Sequence, residues 1–306
     1  MGKAVEAGSG DAAGPGAGFS FEILPADAPP GPLEALGLGA LVLFLLGVPI
    51  FLVELWRLRR DGALTPARLK GMATSAFCLL PASLVEALGA GALAALYFGV
   101  AALSPFEIKT TWASAALCLL LVDFSYYWEH RLAHEVNALW SIYHRVHHSA
   151  NHYDQTIGLR ISFADFFFSP LIYLPLAVAG FHPALIFACL ALTLAWQQWI
   201  HTELVGKLPA LDPWLNTPSN HRVHHGRNEP YLDRNYGGVL MIWDRLFGTY
   251  AAESERVDYG LVEPQRSLHP AAVHFLGWVK LARALRRAPT WRDVSHLLFG
   301  KPQRAP

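Results

Sequence analysis

The chain has 306 residues, 53% of them hydrophobic and only 16% charged, with 24 basic against 24 acidic side chains. Soluble globular proteins carry roughly 25% charged residues, so this chain has little polar surface for water, and a mean hydropathy of +0.28 points to a bilayer. A net charge of zero argues against nucleic-acid binding, which depends on Lys and Arg meeting phosphates. The three cysteines, Cys78, Cys118 and Cys189, stand far apart in apolar runs, which suits neither a disulfide framework nor a Cys-type zinc site.

Residues 1–32 hold seven Gly, five Pro and seven Ala with few large apolar groups. Such a segment is expected to be disordered, because it cannot bury enough surface to offset its ordering entropy. It lacks the basic start and apolar stretch of a signal peptide. Residues 35–53 then run for 19 positions without a charge, enough to cross a hydrocarbon core of about 30 Å at about 1.5 Å per residue. Residues 72–106 are apolar apart from Glu86 and are expected to cross once, with Pro81 as a kink point. Residues 110–128 carry one charge, Asp123.

Residues 166–200 contain no Asp, Glu, Lys or Arg over 35 positions. One helix of that length would reach roughly 52 Å, so Gly180-Phe181-His182-Pro183 is expected to break it into a helical hairpin. Arg57, Arg59, Arg60, Arg68 and Lys70 flank the first two runs, against Lys109 in the next loop; the positive-inside rule puts the 57–70 loop in the cytoplasm. Residues 266–306 mix Phe275, Trp278, Leu281 and Leu285 with Lys280, Arg283, Arg286 and Arg287, a pattern for a helix on the membrane surface or docked on the protein. The expected fold is all-α. It is a polytopic integral membrane helical bundle of four to five transmembrane helices, with a cytoplasmic histidine-rich helical cap holding a dimetal site. Residues 33–265 form the catalytic domain and 266–306 an interfacial segment.

Fourteen residues are histidine, eleven of them between His130 and His225. Three clusters stand out: His130 with His134, then HRVHH at 144–148 and again HRVHH at 221–225. Positions i, i+3 and i+4 share one face of an α-helix, so each cluster is expected to point its imidazoles in one direction, toward a common site. Neutral imidazoles suit iron, zinc or copper rather than magnesium or calcium. One ion takes roughly four to six ligands, so His130, His134, His144, His147, His148, His221, His224 and His225 imply two ions.

His201, at the end of the hairpin, is expected to be a ninth ligand. His152, four residues after His148, is a weaker candidate behind what reads as a helix end. His182, His269, His274 and His296 are isolated and read as structural or solvated. Asp123, Tyr127, His130 and His134 form a helical stripe. A carboxylate in a bilayer faces the bundle interior, making Asp123 a candidate for fixing an imidazole tautomer. Gln197, one turn before His201, and Glu135, beside His134, complete the candidate catalytic set.

The order HxxxH, HxxHH, HxxHH, with an apolar hairpin between the last two, resembles the fatty acid hydroxylase/sterol desaturase superfamily over residues 123–253. His134-Glu135-Val136-Asn137, Trp199-Ile200-His201-Thr202-Glu203 and Asn216-Thr217-Pro218-Ser219-Asn220-His221 are similar to its alkylglycerol monooxygenase-like branch. The resemblance implies a non-haem oxygenase with two iron ions that uses O2 on a lipid chain. The branch implies ether-lipid cleavage supported by tetrahydrobiopterin. A sterol or fatty-acyl desaturase or hydroxylase on the same scaffold is the alternative, and a non-catalytic metal- or haem-binding membrane protein the alternative of another class. No P-loop or CxxC run is present, and Gly89-Ala90-Gly91 lies inside an apolar helix rather than after a strand. A separate reductase or a reduced pterin is therefore the expected partner, with the metal site facing the cytoplasm from a bacterial inner membrane or the endoplasmic reticulum.

Overall fold

The computed structural model describes residues 30–302, which contain helices and loops, with isolated β-bridges but no strand. The expectation for residues 1–32 falls outside the described residues except at its end, where Pro32 opens the first helix. That helix, α1, spans Pro32–Arg60, and Arg57, Arg59 and Arg60 occupy its last turn, where cations complement the helix dipole. Helix α2 spans Pro66–Ala102 as one element through Pro81, started by the Thr65 side chain accepting from the Arg68 N–H.

At about 1.5 Å per residue α2 reaches roughly 55 Å, more than a bilayer core. Its first turns are buried at Gly71, Met72, Thr74, Ser75 and Cys78. Farther on, Leu84 and Leu88 are exposed, as are Leu38, Leu41, Phe44, Leu45 and Leu52 of α1. Apolar faces this extensive are a liability in water and are at home in lipid.

These two helices are long and apolar enough to cross a membrane. They supply two of the four to five spans the sequence leads one to expect, and the remaining apolar candidates are the 112–135 helix and the 166–200 run. Helix α3, Trp112–Glu135, carries buried Asp123 and Glu129. The 166–200 run divides, as expected, into a hairpin. One arm comprises α6 (Asp165–Phe168), a 3-10 turn and α7 (Leu174–Val178); the other is α8 (Pro183–Trp199), once α4 (Asn137–Leu139) and α5 (Arg145–His147) are counted earlier in the chain. At about 1.5 Å per residue neither arm exceeds roughly 26 Å.

Gly180 makes the hairpin turn with φ +94°, and a Cβ there would lie 2.7 Å from the Phe106 carbonyl oxygen. Only glycine takes both the backbone angle and the close approach without strain. The Ile108 N–H donates to the Gly180 carbonyl at 2.9 Å, tying the tip to the loop before α3. Behind the tip, Cys118, Val122, Tyr173, Phe181, Leu185, Ile186 and Cys189 form the largest apolar cluster. Helix α1 lies along α8, and α3 packs on α8. The histidine-bearing segments therefore sit at the end of this bundle.

Beyond it come α9 (Pro218–His224), α10 (Ile242–Leu246), α11 (Pro270–Arg287) and α12 (Trp291–Phe299). Helix α11 docks on the segment around Ser141, because a Cβ at Gly277 would stand 2.1 Å from the Ser141 carbonyl oxygen. Trp278 Nε1 donates to the Ile142 carbonyl at 2.7 Å, and Asn137 Nδ2 donates to the Leu297 carbonyl of α12 at 2.7 Å. The C-terminal helices thus brace the chain that carries the second histidine cluster.

Candidate metal centre

Helix α3 projects His130 and His134 from its last turns. Between α4 and α5 the chain makes a π-helical turn, Trp140–His144. Such a turn holds one residue more than an α-turn and re-aims the side chains beyond it. The third cluster rides on α9, whose start is set by Pro218 and the Thr217 cap and fixed by Asn220 Nδ2 donating to the Leu215 carbonyl at 2.9 Å. His201 comes just after the end of α8, with its Nδ1 donating to the Gln197 carbonyl at 2.7 Å.

Nine imidazoles meet in two groups, each able to hold a metal ion. His130, His134, His144, His148 and His224 make the first; His147, His201, His221 and His225 make the second, with the ligand atoms of each group all within 4.8 Å of one another. The Nε2 atoms face each other: His130–His144 at 3.1 Å, His134–His148 at 3.1 Å and His148–His224 at 3.1 Å. In the second group His147–His201 stand at 3.3 Å, His201–His221 at 2.9 Å and His221–His225 at 3.2 Å. Imidazoles bound side by side to a metal at about 2.1 Å place their nitrogens about 3 Å apart.

The tautomers agree with a cation. His130 Nδ1 bonds the Tyr236 carbonyl at 3.0 Å and His224 Nδ1 the Arg234 carbonyl at 3.0 Å. A ring that donates from Nδ1 aims a bare Nε2 lone pair inward. Burial holds the pKa of His144, His148, His201, His221, His224 and His225 well below the usual histidine value, and that of His147 at about 4. At neutral pH these rings are unprotonated, and convergent neutral imidazoles match iron, zinc or copper.

The one-direction expectation for each cluster needs correction. In the second cluster His144 and His148 join the first group while His147 joins the other; in the third, His221 and His225 join the second group while His224 joins the first. The two identical pentapeptides are used in opposite senses. Both helices end within the cluster, so each reaches between the groups instead of facing one of them.

His201 stands among the nine, while His152 lies outside both groups, 3.5 Å from Asp154 Oδ2. Asp123 touches no imidazole. Its Oδ1 accepts from the Val239 N–H at 2.6 Å, and its Oδ2 from the Leu240 N–H at 3.2 Å and Trp243 Nε1 at 2.9 Å. It pins the loop after Tyr236, and the tautomer-fixing contact expected of it falls to backbone carbonyls. Glu135 pairs with Arg131 at 3.3 Å and Lys301 at 3.5 Å, a helix-end carboxylate away from both groups. Gln197 Nε2 donates to the Gly238 carbonyl, and its Oε1 is buried without a hydrogen-bond partner. His274, expected to be structural or solvated, is buried.

Several supporting residues escape a reading of the sequence. Asp244 accepts from the Tyr236 and Gly237 N–H groups at 2.8 and 2.7 Å, holding the carbonyl that orients His130. Glu54 accepts from the Gln155 N–H at 2.9 Å and the Thr202 hydroxyl at 2.7 Å, anchoring α1 beside His201. The one signal for Glu54 is a carboxylate closing an uncharged run. Glu129 accepts from the Tyr143 hydroxyl at 2.8 Å, next to His130 and His144 in the chain.

A cavity of about 590 Å³ is lined by Ala40, Leu41 and Phe44 of α1 and Leu194 of α8, by the charged Glu129, Arg160 and Asp165, and by His144, His147 and His201 of the two groups.

Residues 115–249 match the fatty acid hydroxylase family. The chain is 48% identical to human alkylglycerol monooxygenase over 172 residues, which is 56% of this chain and 37% of that protein. It is 42% identical over 198 residues to the alkylglycerol monooxygenase of Xenopus tropicalis, covering 65% and 43%. It is 34% identical over 136 residues to an ornithine lipid hydroxylase of Rhizobium tropici, covering 44% and 40%. The chain thus spans about two fifths of the length of these relatives. No solved structure matches it significantly.

Proposed function

We propose that this fatty acid hydroxylase domain belongs to a membrane-bound lipid oxygenase that works with two iron ions and O2, and that its reaction is the oxidative cleavage of an ether lipid. The carrying observation is the convergence of two imidazole groups beside a cavity that His144, His147 and His201 share with the apolar residues Leu41 and Phe44 of α1 and Leu194 of α8. The similarity to alkylglycerol monooxygenases supports the ether-lipid reading.

The five histidines of the first group would hold one ion and the four of the second group the other. Iron, when bound, supplies the redox chemistry that activates O2, which zinc lacks. The protein's own part is positioning. Ala40, Leu41, Phe44 and Leu194 offer an apolar wall to a lipid chain, keep water out and leave the polar end of the substrate toward His144, His147 and His201. Gln197 Oε1, buried without a partner, is an acceptor for a hydroxyl near that end.

The conversion balances as R–H plus O2, two electrons and two protons giving R–OH and water. At the carbon beside an ether oxygen the product is a hemiacetal, which separates into an aldehyde and a glycerol. The electrons come from a reduced pterin or a separate reductase, and the site faces the cytoplasm of a bacterial cell or the cytoplasmic side of the endoplasmic reticulum. The test is incubation of the iron-loaded protein with an alkylglycerol, O2 and reduced pterin, with products read by mass spectrometry. Aldehyde and glycerol in equal amounts are the expected outcome. A stable hydroxylated or unsaturated lipid would favour the sterol or fatty-acyl reading, and no lipid-dependent O2 uptake would overturn both.

A further inference from the structure

A second cavity, of about 280 Å³, reaches the imidazole groups through His134, His148, His224 and His225, and it shares no lining residue with the first. Its charged side chains are Arg145, Arg227, Asp233, Glu263 and Lys280. Most are matched: Arg227 pairs with Asp258 at 2.7 Å, Lys280 with Glu263, and Asp233 lies 3.8 Å from His134 Nδ1.

Arg145 is different. It is 8% exposed, and its Nη1 is buried with no hydrogen-bond partner. The carboxylate with an electrostatic influence on it, Glu263, is already bound to the Lys280 ammonium. A buried guanidinium N–H left without an acceptor is costly, and the planar fork matches carboxylate and phosphate oxygens.

We propose that this second cavity is an oxyanion site, with Arg145 as the residue that holds a phosphate or carboxylate group. The cavity has room for a headgroup-sized molecule, and Arg145, Arg227 and Lys280 on its wall suit the anionic part of a ligand. Two sources share this chemistry: an anionic lipid headgroup and a free anion from the aqueous phase. Either would sit against His134 and His148, giving the centre a polar approach separate from the first cavity. The inference rests on the metal reading only for the identity of its neighbour, and its test needs no turnover.

The full-length, metal-loaded protein is placed in uncharged maltoside micelles, and its thermal unfolding midpoint is followed in two arms. One arm adds inorganic phosphate; the other adds phosphatidic acid. Both are compared with chloride at equal ionic strength. The native protein should rise by about 2–4 °C in at least one arm, and the responding arm identifies the source. Arg145→Met should lose that rise, while its midpoint without anion stays at or above the native one, because a buried N–H without an acceptor has been removed. Arg256→Gln, an exposed control, should respond like the native protein. Arg145→Lys keeps the charge without the fork and should need about tenfold more anion; it also serves if the Met variant does not fold. A rise that survives in both Arg145 variants would place the anion on the metal or the surface and overturn the proposal. Absence of a rise in both arms for the native protein would overturn it equally.

Discussion

His148 and His225 stack ring on ring, with centroids 4.4 Å apart and planes within 23° of parallel, yet each offers its ligand nitrogen to a different imidazole group. The neighbouring pairs His147-His148 and His224-His225 both straddle the two groups in this way. One peptide bond thus joins a ligand of one group to a ligand of the other.

The first prediction concerns metal content. His148→Ala in the first group, or His201→Ala in the second, should leave about one bound ion instead of two and lower turnover by about 100-fold or more. His152→Ala and His296→Ala, outside both groups, should keep both ions. Elemental analysis of the purified variants decides this; loss of metal from the His152 variant would mean that the grouping is wrong.

Asp123→Asn should act at a distance. The native carboxylate accepts from two N–H groups and the Trp243 indole, and an Asn side chain turns its own NH2 toward one of those donors. A loss of about 1–3 kcal/mol of stability is expected. The loop it releases carries the Tyr236 carbonyl that orients His130, so metal affinity should fall about tenfold, read by competition with a chelator. Glu135→Gln, at a partly exposed pair, should change stability by no more than about 0.5 kcal/mol.

Acid should release the metal and destabilise the fold together. Burial lowers the folded-state pKa of these histidines, to about 4 for His147, while in the unfolded chain each titrates near about 6.5. The unfolded state then binds protons first, so stability is full above about pH 6.5 and declines as pH falls toward about 4. Protons also compete with metal for the same nitrogens. Midpoints and bound metal measured from about pH 7.5 to about pH 4.5 should fall in parallel. A flat profile over that window would contradict the buried, neutral state of the rings.

Topology can be read by labelling. The native cysteines are all buried and should stay silent to a membrane-impermeant thiol reagent. Arg60→Cys and Glu229→Cys should react from the same side of the membrane, and Lys109→Cys from the other, all three positions being exposed. Reaction of Arg60→Cys and Glu229→Cys from opposite faces would remove the cytoplasmic placement and the proposed route for electrons.

The sequence by itself determined the clustering of the imidazoles and the helical content. Clustered His at 3- and 4-residue spacings carries its meaning locally, because a helix turn brings such residues together wherever it lies. The hairpin of 166–200 was legible for a similar reason, since a run too long for one span must break at its Gly and Pro. What only the tertiary structure decided was the partition of nine rings into groups of five and four. That depends on where three helix ends stop relative to one another, and the π-turn at Trp140–His144 has no spacing signature. Asp123 shows the same limit: its stripe with His130 and His134 was visible, but its partners lie more than 110 residues away, in the loop before α10 and on α10 itself.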